Sequence, residues 1–205
     1  MPIRNVIKIY GAEQYYHIYT RGVNKQAIFL DAEDYTFFLQ LLARYLSDEP
    51  TKSPARIFYP HFGKRMELLA FCLMQNHVHL LVYQHDEKAM AECMRAIMTS
   101  YSIHFNKKYD RRGPLFESHY LASLIDRDSY LQHISRYIHL NPREWQRYPY
   151  SSLPYYLGSK SAEWIKPAKI MEVFNDNPKV YLEFVKDYES QKAILDELKY
   201  ELAHD

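Results

Sequence analysis

RMELLAFCLMQNHVHLLVY, residues 65–83, is a largely apolar stretch with the turn-like polar pair Gln75-Asn76 at its middle. The pattern predicts two strands, Arg65 to Met74 and His77 to Tyr83, joined by a short turn into an antiparallel hairpin. Side chains alternate along a strand, so His77, His79, Leu81 and Tyr83 share one face of the second strand, while Val78, Leu80 and Val82 share the other. The aliphatic face anchors the strand in a core. Two imidazoles, about 7 Å apart along the strand, are left together on the opposite side.

Upstream, Tyr15 to Val23 reads as a strand ending at a turn around Gly22 to Asn24, and a helix follows from about Asp31. In that helix Tyr35, Phe38, Leu39, Leu42, Tyr45 and Leu46 recur at three- and four-residue intervals. Residues 48–54 form a loop, and a short strand is expected around Ile57 to Tyr59. Downstream, a long helix runs from Asp86 to about Lys108, with Met90, Cys93, Met94, Ile97, Met98 and Tyr101 as its apolar stripe. After Gly113-Pro114, residues 115–125 read as extended. Asp128 is the expected N-cap of a helix that Pro142 ends near Asn141.

The order strand, helix, two strands, helix, strand, helix predicts an α+β fold: a ferredoxin-like antiparallel sheet with helices packed on one face. Residues 1–150 are expected to form this core and residues 151–205 a helical C-terminal extension. Charge divides the chain in a similar way. Residues 95–147 hold nine Lys/Arg against five Asp/Glu, whereas residues 172–205 hold four Lys against nine Asp/Glu. The middle suits a phosphate backbone and the tail does not.

The whole chain of 205 residues carries a formal charge of only +1, which excludes a bulk-cationic DNA binder of histone type. Its two cysteines, Cys72 and Cys93, offer neither a disulfide framework nor a zinc ribbon and read as buried thiols. No stretch approaches the roughly 20 apolar residues that span a bilayer, and the start MPIRNVIKIY lacks a signal-peptide core. A cytoplasmic protein is expected. Tyrosine occurs 20 times and histidine 10 times, an excess of flat, hydrogen-bonding side chains that suits base stacking as well as cores.

Chemistry concentrates in two places. His77 and His79 can reach one divalent ion, although two such histidines can equally be satisfied surface or core residues. In DSYLQHISRYIHLN, residues 128–141, an apolar stripe of Leu131, Ile134 and Ile138 lies beside a polar ridge of Tyr130, His133, Tyr137 and Asn141. Tyr137 and Asn141 are i, i+4 neighbours. A phenol beside an amide oxygen and two imidazoles would give a nucleophile and a three-ligand metal site of His77, His79 and Asn141. Alternatively, Tyr137 simply packs with its hydroxyl bonded. His17, on the strand face of Tyr15, Tyr19 and Arg21, either lines the site or is structural.

These residues resemble a known family. His77-Val78-His79 is similar to the HUH signature, and Tyr137-Ile-His-Leu-Asn141-Pro142 resembles the catalytic-helix motif of single-tyrosine HUH transposases, in particular the REP-associated tyrosine transposases. YHIYTRGVNKQAIF, DAEDYTFFLQLL, AFCLMQNHVHLLV, YSIHFNKKYDRRGPLFESHY and YLQHISRYIHLNP, with YPYSSLPYYLG after it, extend the likeness in family order over about residues 13–158. The chain departs from the pattern at Ser118 and His119, where a basic residue is common, and at REWQRY after Pro142.

The resemblance implies cleavage of single-stranded DNA next to a hairpin or palindromic end through a 5′-phosphotyrosine bond, with Mg²⁺ or Mn²⁺ required, followed by strand transfer. It makes Tyr137 the nucleophile and His77, His79 and Asn141 the metal ligands. Tyr130, seven residues before Tyr137 on nearly the same face, is the runner-up nucleophile. Arg21, Lys25, Lys107, Lys108, Arg111 and Arg112 sit in or beside loops where cations meet phosphates, and Tyr19, Tyr101, Tyr109 and Tyr120 are placed to stack on unpaired bases. A homodimer is compatible with the family. The rival readings are a hairpin-DNA binder that no longer cuts and a phosphoesterase in which water attacks and Tyr137 is structural.

Overall fold

The computed structural model describes residues 10–125 and 128–187, and the side chains of Asp128 and Ser129 lie outside that description, as does the cap expected at Asp128. Strand β1 (Gln14–Arg21) leads through a 3-10 turn at Val23–Lys25 to helix α1 (Ala32–Leu46). The hairpin β2 (Met66–Met74) and β3 (His77–Gln84) follows, then α2 (Ala89–Lys108), β4 (Leu121–Ile125) and α3 (Asp128–His139). Short helices α4 (Leu153–Tyr156) and α5 (Ala168–Met171) precede α6 (Pro178–Lys186). The four strands stand in the order β2-β3-β1-β4 with every neighbouring pair antiparallel. That is the ferredoxin-like order.

Helix α1 starts where the sequence prescribes. The Asp31 carboxylate accepts the Asp34 N–H at 3.1 Å, and the Asp34 carboxylate accepts the N–H groups of Asp31 and Leu30, so unpaired donors of the first turn are satisfied. The apolar faces of α1 and α2 pack Phe38, Leu41, Leu42, Met90, Met94, Ile97 and Tyr101 against Ile18, Leu68, Phe71, Val78, Leu80 and Val82 of the sheet.

The expectation of helices on one face is corrected: α1 and α2 cover one side, and α3 to α6 cover the other. The histidine-bearing side also presents Leu69, Ala70, Cys72 and Leu81, and these are buried with Ile134 and Ile138 of α3 and with Leu153, Tyr156, Ile170, Tyr181 and Val185. A register shift between Leu68 and Ala70 inserts a residue into β2 there. Apolar residues on both faces of a sheet demand cover on both.

Two further expectations change. The strand around Ile57 to Tyr59 reduces to a single bridge between Lys52 and Phe58, with Ile57 and Phe58 exposed, because no sheet strand lies beside them. Of the extended stretch 115–125 only Leu121–Ile125 pairs with β1, although Phe116 bridges Gly22. Cys72 and Cys93 are buried free thiols, as expected. Among the described residues no helix is long and apolar enough to cross a membrane.

Candidate active site

The register of the two central strands sets the floor of the site. His79 stands opposite Tyr19, and His77 opposite Arg21. The turn before His77 is pinned by backbone bonds: Gly22 donates to the Asn76 carbonyl at 2.9 Å, and Ile28 to the Gln75 carbonyl at 2.8 Å. Gly22 also lets residues 22–26 turn back on themselves, since a Cβ there would lie 2.3 Å from the Gln26 carbonyl oxygen.

Helix α3 lies across this floor on its apolar stripe, with Leu131, Ile134 and Ile138 buried. Seating that stripe turns the neighbouring ridge toward the histidines. The Tyr137 ring meets His79 edge-on at a centroid distance of 5.5 Å and His17 at 6.1 Å. One turn later the helix closes with Asn141 N donating to the Ile138 carbonyl at 3.4 Å, which places the Asn141 amide between the two imidazoles. His77 Nε2 lies 3.2 Å from Asn141 Oδ1, and His79 Nε2 lies 3.2 Å from Asn141 Nδ2. One chain supplies all four groups.

The outer nitrogens of the imidazoles are engaged as well. His77 Nδ1 lies 2.6 Å from Asn76 Oδ1, and Asn76 is oriented by its own Nδ2 donating to the Lys25 carbonyl at 3.2 Å. His79 Nδ1 lies 3.0 Å from His17 Nε2, with the two rings stacked at 14°.

These bonds bear on whether the residues fit a cation. The Asn76 oxygen takes the His77 Nδ1–H, so a neutral His77 keeps a lone pair at Nε2, and as the amide is oriented that lone pair faces the Asn141 oxygen. Acceptor against acceptor is relieved by a cation between them, or by the amide turning over. Among the described residues no three His, Cys, Asp or Glu side chains form a metal cluster; the donor set here is two imidazole nitrogens and one amide oxygen. Burial lowers the pKa of His77, helped by the Arg21 charge, and lowers that of His79 further, helped by its histidine neighbours. His17 is pushed down to about 4 by burial alone. Neutral imidazoles keep the lone pairs that a metal needs.

The expected DNA contacts are treated unequally by the fold. Arg21 stands at the rim of the site, partly buried, with its guanidinium 5.1 Å from the Tyr19 ring. Lys25, Lys107 and Arg112 are exposed. Lys108 is engaged within the protein: its ammonium is bound by Asp31 and Asp34 at 2.8 and 2.9 Å and by Glu33 at 2.9 Å. Arg111 is partly occupied by Asn106 Oδ1 at 3.1 Å and the Pro114 carbonyl. Tyr101 is fully buried with its hydroxyl donating to the Ile28 carbonyl, Tyr120 is also buried, and Tyr109 bonds to Asp31 and Asp34. Tyr19 remains at the site, its ring 5.0 Å from His79. The sequence reading gave Asn76 only a place in the turn and left His17 undecided.

Residues 57–141, which include both histidines, Tyr137 and Asn141, match the family model of IS200-like transposases. A solved structure of a REP-associated tyrosine transposase bound to a REP hairpin aligns over 80% of this chain and 92% of its own, with a TM-score of 0.54 and 14% identity, a likeness that speaks to the fold. No curated protein matches the chain. Residues 57–141 are thus similar in sequence to the IS200-like transposases, and the fold is similar to that of a REP-associated tyrosine transposase.

Proposed function

We propose that this chain is a transposase that cleaves single-stranded DNA beside a hairpin and transfers the strand, with Tyr137 as nucleophile. The observation that carries the reading is the convergence of two imidazole Nε2 atoms on one amide, 3.2 Å from each, with the phenol one helical turn before that amide. The family match supports a transposase role, and the similar solved structure, which holds a REP hairpin, supports hairpin DNA as the ligand to test.

The residues divide the work. His77, His79 and Asn141 would hold Mg²⁺ or Mn²⁺, which when bound neutralises charge developing on the scissile phosphate. Two nitrogen donors favour Mn²⁺ at least as well as Mg²⁺. The Tyr137 oxygen attacks phosphorus, an O–P bond to tyrosine forms, the bond to the 3′ oxygen breaks, and the phenolic proton leaves for solvent as the 3′ oxygen is protonated. Because the phosphotyrosine is itself a phosphodiester, a 3′-hydroxyl can attack it and return the tyrosine. Arg21 at the rim is suited to a phosphate oxygen, Tyr19 to an unpaired base, and Lys25, Lys107 and Arg112 to more distant phosphates.

The test is a denaturation-resistant protein–DNA adduct formed from a single-stranded hairpin substrate with Mn²⁺. Tyr137→Phe is expected to abolish it and to leave hairpin binding intact. An adduct that survives the substitution assigns the nucleophile elsewhere, with Tyr130 next; hairpin binding without any adduct favours a protein that no longer cuts.

A further inference from the structure

We infer that His17 is a positioning residue for the metal site: its Nε2 accepts the Nδ1–H of His79 and so holds the His79 Nε2 lone pair toward Asn141. This rests on the ligand role proposed above for His79. An imidazole that binds a cation through Nε2 must carry its own proton on Nδ1, and a buried N–H needs an acceptor. For His77 that acceptor is Asn76 Oδ1. For His79, 3% exposed and buried under α3, the partner at Nδ1 is His17 Nε2, 3.0 Å away.

His17 is built to hold its place. It lies in β1, paired on one side to Leu81 of β3 and on the other to Ser123 of β4, and it is itself 3% exposed. The stacked rings, 5.1 Å between centroids, and the Tyr137 edge above them leave little room for either imidazole to turn. An imidazole that accepts at Nε2 carries its own proton on Nδ1, so His17 in this arrangement is protonated there. Each proposed ligand histidine thus has its own acceptor, a side-chain amide for His77 and an imidazole for His79.

Two variants and one spectrum test the inference. His17→Phe keeps a flat ring and removes the acceptor, whereas His17→Gln offers a carbonyl oxygen in its place. Mn²⁺ affinity, measured without DNA from the electron paramagnetic resonance signal of free Mn²⁺, is expected to fall about 10- to 100-fold in His17→Phe and to recover largely in His17→Gln. Long-range ¹H–¹⁵N spectra of the Mg²⁺-loaded wild type should show His79 protonated at Nδ1, and this needs no variant to fold. Equal Mn²⁺ affinity in wild type and a folded His17→Phe, or a His79 proton on Nε2 in the loaded protein, overturns the inference. A wild type that takes up no Mn²⁺ sinks the metal reading separately. The metal-free spectra then decide His17: a His79 Nδ1 proton that depends on His17 supports the hydrogen bond, and one indifferent to His17→Phe refutes it.

Discussion

His77 and His79 look equivalent in the sequence and are not equivalent in the fold. His77 is partly exposed beside the Asn76 turn, whereas His79 is buried between His17, Tyr19 and the Asn141 amide. His77→Ala is therefore expected to cost no more than about 1 kcal/mol of stability. His79→Ala leaves a hole and an unpartnered side of His17, at a cost of about 2–3 kcal/mol. Both variants should lose adduct formation alike. Urea unfolding paired with adduct yield checks this, and equal stability losses would mean that the two side chains are equally embedded. The pair was legible in advance because strand alternation places i and i+2 together, and Tyr137 with Asn141 because a helix does the same for i and i+4. The role of His17 was not, since it depends on which residue of a distant strand stands beside it. That is a matter of register, and the hydrophobic pattern of β1 alone does not fix it.

At the scale of elements, α1, α2 and the central hairpin were readable because each has a continuous apolar period and a capping or turn signal. What the cations do was less readable. KKYDRRG, residues 107–113, reads locally as a basic loop, but Lys108 is bound to three carboxylates of the α1 start, more than seventy residues away in sequence. Asp34 is fully buried there, with Tyr109 and backbone N–H groups as its other partners. Removing the cation leaves the Asp34 carboxylate to Tyr109 and the backbone N–H groups alone, so Lys108→Ala is expected to lower the melting temperature and to leave the salt dependence of DNA binding unchanged. Lys107→Ala should do the reverse, with stability within about 0.5 kcal/mol and the slope of log affinity against log salt smaller by about 0.7 if Lys107 meets a single-strand phosphate. Binding isotherms at several salt concentrations, beside thermal melts, separate the two. A lowered slope in Lys108→Ala would mean that the acidic cluster opens on DNA.

Across the whole molecule, the helix that carries Tyr137 is clamped from both sides, by the sheet beneath and by the C-terminal helices above. Buried His139 of α3, pushed down to about 3 by burial, bonds through Nδ1 to the Tyr181 hydroxyl at 2.7 Å and through Nε2 to Ser152 at 2.7 Å. Ser152 in turn donates to the Phe71 carbonyl of β2, while Ser135 of α3 meets Tyr181 at 3.0 Å. Arg136, next to Tyr137, donates to the Phe184 carbonyl and lies 4.3 Å from the Phe184 ring. The sequence marks α3 as amphipathic but cannot say what covers it, and an acidic C-terminal segment reads as peripheral by charge alone. The fold puts that segment, as far as Lys186, to structural use. Tyr181→Ala should therefore destabilise the protein by about 3–5 kcal/mol, comparable to losing a residue of the sheet core. It should also lower adduct yield under conditions where most of the protein is still folded, because Tyr137 and Asn141 keep their angle to the histidines only while α3 is held. Denaturation midpoints and adduct yields at low temperature would measure both effects. A Tyr181→Ala protein of wild-type stability would show that α6 merely rests on α3, and one destabilised but fully active would show that the sheet alone orients Tyr137.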